Sequence, residues 1–237
     1  KGRGKLYTIQ VRDDGKPKTA IEFHNQFISA VGIEPSASKP EMFLTDDEKR
    51  EARIYLQWLD SENNPLDLTK PIVGIHPGAT WPAKRWLPER FAELADMIAA
   101  KLSAQSILTA GPNDGEVIEN VMKHSFSNVK VIKNLPLRQL AAIVSHCSAY
   151  AANDNGTMHI AAAVGTPTVG IFGPGEENIW FPYSSDEGHT VLRRDVPCHP
   201  CHLDFCNRET DGFMECMKLL SVKDVFDAVE RAMNFRK

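Results

Sequence analysis

The sequence lacks both long hydrophobic runs and an excess of positive charge. No apolar stretch approaches the roughly 20 residues that cross a bilayer, and no apolar signal region follows the basic residues 1–5. The formal net charge is −4 and the pI is about 6.1, which argues against broad nucleic-acid binding. We therefore expect a cytoplasmic protein with no nucleic-acid partner. The overall charge still leaves room for a local basic pocket that binds phosphate.

Two common phosphate-binding motifs are also missing. No Gly-x-Gly-x-x-Gly loop is present, which disfavours an NAD-binding oxidoreductase, and the Gly-Pro-Asn-Asp-Gly-Glu segment at 111–116 is too short for a P-loop and has no Lys. The chain has no initiator Met and opens on an expected strand at 6–11, which suggests that a segment upstream is missing.

What the sequence does contain is enough apolar material for a sizeable core. Hydrophobic residues make up 42% of the 237 residues and charged residues 24%, which is ordinary for a globular protein. Residues 1–44 are mixed, with a helix expected at 21–31 and a linker at 35–40. Thr45 and Glu48 form the capping box of a second helix, which Asn63, Asn64 and Pro65 should end.

From residue 71 onward, short apolar runs alternate with helical periodicity. We predict strands at 72–75, 106–110, 129–132, 148–152 and 168–172. The predicted helices run from Pro88 past Leu102, through Ile118 and Val121, along 137–144 and 157–164, and onward from Ser221. This alternation predicts an α/β fold with a parallel sheet. Ligands should then bind at the edge where the carboxyl ends of the strands meet.

Three loops follow strands at that edge. The first, residues 76–86, offers Gly78 for close backbone approach, the Thr80 hydroxyl and the Lys84 cation, or is a plain surface loop. The second, 111–116, reads as a turn, with Glu116 able to accept hydrogen bonds from a ribose.

The third loop, residues 152–159, is the most informative because it joins a strand to a short helix. The N-terminus of such a helix is an anion site, and Gly156 removes a Cβ that would block a pyrophosphate. Asp154 would either cap the helix or hold a sugar hydroxyl. His159 is either structural or functional.

These segments together resemble glycosyltransferase family 9, which includes the ADP-heptose:lipopolysaccharide heptosyltransferases. The resemblance rests on His-Pro-Gly-Ala (76–79), Ala-Lys-Arg-Trp (83–86), Asn-Asp-Asn-Gly-Thr-Met-His-Ile-Ala-Ala-Ala-Val-Gly (153–165) and Ile-Phe-Gly-Pro (171–174). It covers residues 71–235 well. It implies a Rossmann-like parallel sheet flanked by helices, forming the C-terminal half of a GT-B glycosyltransferase. Residues 1–44 would be a remnant of the N-terminal acceptor domain and linker, and residues 45–237 the nucleotide-sugar-binding domain.

The resemblance also implies roles for individual residues. Lys84 would stabilise the leaving phosphate, while the general base belongs to the missing N-terminal domain, so this chain alone would bind donor but transfer little. The donor-binding residues would be Gly78, Thr80, Lys84, Glu116, Leu135, Asp154, Asn155, Gly156, Thr157 and His159. Asn155 stands where many members have Thr, and Arg85 and Arg194 would face an anionic acceptor.

The implied reaction is inverting transfer of heptose from ADP-heptose to the lipopolysaccharide inner core, with no cofactor required and with peripheral association at the cytoplasmic membrane face. Two alternatives stay open: a GT-B transferase of another nucleotide sugar, such as UDP-N-acetylglucosamine, and a non-catalytic nucleotide-sugar-binding module.

Four of the five cysteines crowd into one segment, as Cys198, Cys201, Cys206 and Cys216. Four thiolates in a short segment can hold structural Zn²⁺, although the spacing differs from paired Cys-x-x-Cys knuckles. Free thiols, the ordinary state in cytosol, and two disulfides are the alternatives.

Overall fold

A computed structural model describes residues 6–12, 14–35, 39–59 and 66–235 of the chain. Six parallel strands form one sheet in the order β3-β2-β1-β4-β5-β6. The strands are β1 (Ile72–His76), β2 (Gln105–Ala110), β3 (Lys130–Lys133), β4 (Ala149–Asn153), β5 (Thr168–Ile171) and β6 (Thr190–Leu192). This is the strand order of a doubly wound Rossmann-like sheet, in which the order reverses between β1 and β4. The predicted fold class is confirmed.

Helices cover both faces of the sheet. The helices are α1 (Ala20–Ala30), α2 (Asp46–Trp58), α3 (Pro88–Leu102), α4 (Gly115–His124), α5 (Leu137–Val144), α6 (Gly156–Ala163), α7 (Glu177–Trp180), α8 (Glu215–Lys218) and α9 (Val222–Phe235). Helices α3, α4 and α9 pack together on one face, and α2 and α5 pack on the other. In the described part of the chain, none of these helices has the length and apolar character needed to cross a membrane.

The starts of the helices follow from local chemistry. Thr45 accepts the Glu48 amide while Glu48 accepts the Thr45 amide, so the predicted capping box of α2 is confirmed. Pro88 lies in the first turn of α3, where its missing N–H costs nothing. The buried residues of α3, among them Phe91, Leu94 and Ile98, recur at helical spacing and form the centre of the larger core.

The predicted strand at 6–11 is wrong, because the structure has no strand there and these residues are largely exposed. A strand needs a neighbour to complete its backbone hydrogen bonds, and no described strand lies beside this segment. The sequence also failed to predict β6, whose three residues are too few to show a period. The expected helix end at 63–65 lies outside the described residues, as do residues 36–38 of the expected linker.

Candidate functional site

The three predicted loops meet at the carboxyl edge of the sheet, where they follow β1, β2 and β4. They enclose an open cavity of about 670 Å³. Five of the predicted site residues line it: Thr80, Leu135, Asn155, Gly156 and Thr157. Its walls also include the apolar side chains of Ile132, Leu137, Leu140 and Ile160, which no sequence pattern marked as part of a site. The lining is therefore mixed, with apolar side chains beside the polar groups that the loops supply.

Two asparagines fix the first loop against the third. Asn153 is fully buried; its Nδ2 donates to the Pro77 carbonyl at 2.8 Å, and its Oδ1 accepts the Trp86 amide at 3.0 Å. Asn155 Nδ2 donates to the Gly78 carbonyl at 2.8 Å. A buried amide with all its groups partnered stabilises one loop geometry and penalises others. Both residues were part of the recognised motif, but this bracing role has no sequence signature.

The N-terminus of α6 faces the cavity and is capped by Asn155. The Asn155 Oδ1 accepts hydrogen bonds from the Thr157 amide (2.9 Å), the Thr157 hydroxyl (2.8 Å) and the Met158 amide (3.1 Å). The alternative in which Asp154 caps this helix is therefore wrong. The Thr157 and Met158 amides therefore already have a partner within the chain, and the anion site at this end of α6 stays a prediction.

Asp154 instead forms an ion pair with Lys84. The two side chains approach to 2.6 Å between Lys84 Nζ and Asp154 Oδ2, and Asp154 is only 6% exposed. Lys84 Nζ also lies 4.5 Å from the centre of the Trp81 ring, within the range of a cation–π contact. Neither residue lines the cavity itself. The pair brings the first and third loops together next to α6.

His159 lies on the first turns of α6, near this ion pair. Its Nδ1 is 2.7 Å from the Tyr183 hydroxyl. Burial lowers the pKa of His159, the nearby Asp154 carboxylate opposes that shift, and the Lys84 cation adds to it. Burial also raises the pKa of Tyr183 to about 12. His159 does not line the cavity, and its predicted role in donor binding stays a prediction.

In the second loop, Asp114 holds the turn, because its Oδ2 accepts the Gly111 amide at 2.8 Å. The predicted contact of Glu116 with a ribose stays a prediction. Glu116 is exposed on the first turn of α4 and does not line the cavity. Two further lining residues were missed as donor-site candidates: Arg85, whose Nε donates to the Ala79 carbonyl at 2.9 Å, and Asn134, which has a positive φ of 56°. Of these features, only the positive φ of Asn134 could be expected from the sequence, because Asn tolerates that conformation.

The four clustered cysteines lie in the segment before α8 and at its start. All are free thiols, and burial raises the pKa of Cys216 to about 11, with the other three cysteines adding to the shift. Within the described ranges, no three His, Cys, Asp or Glu side chains are arranged to hold a metal ion. The structural Zn²⁺ site at Cys198, Cys201, Cys206 and Cys216 therefore stays a prediction.

The chain is similar in sequence to curated proteins named as heptosyltransferases. The chain is 32% identical over 184 residues to lipooligosaccharide heptosyltransferase 2 of Campylobacter jejuni, a match that covers 73% of this chain and 54% of that protein. It is 32% identical over 129 residues to the protein of the same name from Haemophilus influenzae, covering 52% of this chain and 37% of that protein. The chain thus spans about half the length, or less, of these curated relatives.

Solved structures show the same fold. A family 9 glycosyltransferase from Veillonella parvula superposes with a TM-score of 0.76 at 23% identity, covering 94% of this chain and 62% of that one. The Escherichia coli heptosyltransferase WaaC with ADP gives 0.64 at 18% identity, covering 96% and 61%. Residues 6–209 match the model of glycosyltransferase family 9 (heptosyltransferase). This chain belongs to glycosyltransferase family 9.

Proposed function

We propose that this chain is the donor-binding part of an inverting heptosyltransferase that transfers heptose from ADP-heptose to the lipopolysaccharide inner core. The observation that carries the proposal is the convergence of three loops, the N-terminus of α6 and the Lys84–Asp154 pair at one edge of a Rossmann-like sheet. Donor binding at that edge agrees with the general behaviour of open α/β sheets. Curated relatives named heptosyltransferases support the choice of sugar.

The cavity fits a nucleoside diphosphate in two parts. The apolar lining residues, among them Ile132 and Leu140, would contact a base, and Thr80, Asn155 and Thr157 would offer polar groups to the rest of the ligand. A diphosphate near the N-terminus of α6 would be stabilised by the favourable helix dipole. The E. coli relative WaaC is described with ADP, which supports testing the adenine nucleotide first.

Chemically, transfer needs the leaving diphosphate to be stabilised and the acceptor hydroxyl to be deprotonated. Lys84, which pairs with Asp154, is the cation that would supply positive charge to the leaving group. The general base would come from the N-terminal domain of a complete family member. We propose no cofactor for the reaction, a cytoplasmic location, and peripheral contact with the membrane where the acceptor is found.

Titration calorimetry with ADP-heptose, ADP, UDP and GDP tests the proposal. We expect adenine nucleotides to bind more tightly than UDP or GDP. We expect Lys84→Gln, which can still donate a hydrogen bond to Asp154 but has no charge, to weaken binding by about tenfold or more, as for one lost charge-assisted hydrogen bond. The matched control is Lys123→Gln, on the exposed side of α4, which should bind as the unmodified chain does. Equal affinity for all three nucleotides, or full affinity in Lys84→Gln, would contradict the proposal.

A further inference from the structure

A buried row of polar side chains runs from the cavity lining into the sheet, and only Asp114 among them has been given a role above. His76 ends β1, Thr109 is in β2, Tyr150 is in β4, and Asp114 is in the second loop. Their exposed fractions are 5%, 1%, 0% and 9%. Buried polar groups are costly unless each has a partner, so their arrangement is informative.

The contacts form a continuous chain. His76 Nε2 lies 3.4 Å from Asp114 Oδ2, and His76 Nδ1 lies 3.0 Å from Thr109 Oγ1. Thr109 Oγ1 in turn lies 2.6 Å from the Tyr150 hydroxyl. Burial raises the pKa of Tyr150, whereas its contacts with Thr109 and Thr157 act in the opposite direction. His76, Thr109 and Tyr150 thus link β1, β2 and β4, and Asp114 adds the second loop.

Hydrogen-bond chemistry assigns a direction to this chain. A carboxylate can only accept, so the His76 proton belongs on Nε2, facing Asp114. Burial lowers the pKa of His76, while Asp114 opposes the shift, and the ring is therefore neutral with Nδ1 as an acceptor. With this tautomer the Thr109 hydroxyl, which also lies 3.4 Å from the Ile75 carbonyl, can donate to His76 Nδ1 and accept from Tyr150. His76 Nε2 then faces the Asp114 carboxylate across 3.4 Å. Asp114 finally accepts the Gly111 amide.

The Asp114 carboxylate packs closely against the backbone of the first loop. A Cβ added at Gly78 would lie 2.3 Å from Asp114 Oδ1 and 2.6 Å from Oδ2. The Asp114 carboxylate therefore sits directly against the backbone of the first loop and holds the second loop by its Gly111 amide. A side chain that fixes Asp114 fixes the spacing of these two loops, between which the nucleotide would lie.

We propose that His76 is a positioning residue for the nucleotide donor, and that it acts by donating from Nε2 to Asp114. The inference rests on the proposed function for its ligand. His76 touches the cavity wall, but its role is to hold the Gly111–Gly115 loop at the correct distance from Gly78, not to react.

Two conservative variants separate the contact of His76 with Thr109 from its contact with Asp114. In His76→Asn the amide oxygen takes the place of Nδ1, so it can accept from Thr109 but cannot reach Asp114. In His76→Gln the amide nitrogen takes the place of Nε2, so it can donate to Asp114. Both variants lose a buried ring and are expected to be destabilised. Thr166→Val is the control, because it removes one buried hydrogen bond, to the Val144 carbonyl, at the opposite edge of the sheet.

The first measurement needs no nucleotide. We expect hydrogen exchange of the Gly111 amide to be about tenfold faster in His76→Asn than in the unmodified chain, and nearly unchanged in His76→Gln and Thr166→Val. Equal protection in both histidine variants, or equal loss in both, would overturn the inference. Because this readout does not depend on a ligand, it decides the loop-positioning role even if nucleotide binding fails.

The second measurement is ADP affinity, compared with urea unfolding of the same variants. We expect ADP to bind about tenfold more weakly to His76→Asn, as for the loss of one hydrogen bond, and close to normally to His76→Gln. If the unmodified chain binds no ADP, the proposed function fails, and with it the donor role of His76. If the chain binds ADP but both variants lose affinity in proportion to their stability, only the inference about His76 fails.

Discussion

The loops at the carboxyl edge of the sheet and the region around α1 depart from the usual distribution of side chains in opposite ways. At the sheet edge, polar side chains such as Asn153, Asp154 and His76 are buried, and each has a specific partner. Along α1 the apolar side chains are exposed instead, and that helix buries no residue. These exposed residues include Phe23, Phe27 and Ile28.

The difference shows what each region contributes. Hydrogen bonds hold buried polar groups in fixed positions, so these groups set a geometry that a ligand can use. Exposed apolar groups add little to the stability of the described chain. Helices α1 and α2 begin with the same capping box, Thr19 with Glu22 and Thr45 with Glu48, but only α2 buries side chains. Local signals therefore start a helix without deciding whether it packs.

The largest expected effect is at the Lys84–Asp154 pair. Replacing Lys84 by Ala leaves the nearly buried Asp154 carboxylate without its cation, which typically costs about 3–5 kcal/mol. Urea unfolding of Lys84→Ala, Asp154→Ala and the double variant measures the coupling. We expect the double variant to recover part of the loss. Additive losses in the double variant would show that the two side chains do not interact.

Two glycines of the site should respond differently to the same added methyl group. A Cβ at Gly78 would overlap the Asp114 carboxylate at 2.3 Å, whereas nothing lies within 4 Å of a Cβ at Gly156. We expect Gly78→Ala to lower the free energy of unfolding by about 1–3 kcal/mol, the usual cost of overpacking, and Gly156→Ala to leave it nearly unchanged. Thermal or urea unfolding of both variants checks this, and equal stability of the two would contradict the described packing.

Acidification should weaken the fold through its buried histidines. Burial lowers the pKa of His76, His159 and His189 below the ordinary value of 6.5. As the pH falls below about 6.5, the unfolded chain binds these protons first, so the free energy of unfolding declines with falling pH. Urea unfolding between about pH 7.5 and pH 5 measures the slope. His189→Asn should make the slope shallower, and an unchanged slope would exclude His189 as a contributor.

The smallest effects concern the two capping boxes. Thr45→Ala should lower the free energy of unfolding by about 1 kcal/mol, because α2 packs on the core through Ala52 and Leu56. Thr19→Ala removes the same cap from α1, where no side chain is buried, and should change global stability by less than about 0.5 kcal/mol. Circular dichroism during urea unfolding reports both. An equal loss in the two variants would mean that α1 unfolds together with the sheet.

The sequence by itself determined the alternation of strands and helices, and with it the Rossmann-like sheet and the edge at which the site lies. It did so because hydrophobic period and caps are local properties, readable in segments such as 88–102 and at Thr45. It also identified the loops that form the candidate site, since the carboxyl ends of parallel strands must share an edge. It predicted a strand at 6–11 wrongly and gave no sign of β6.

Only the tertiary structure decided which side chains face each other across those loops. Asn153 bonds to Pro77 across 76 positions of sequence, and His76 bonds to Thr109 across 33. No period or motif encodes such pairs, because each depends on how strands pair and how far each loop turns. For the same reason the sequence assigned the helix cap to Asp154 as one alternative, whereas the fold gave it to Asn155 and turned Asp154 toward Lys84. Local propensity set the elements, and packing set the chemistry of the site.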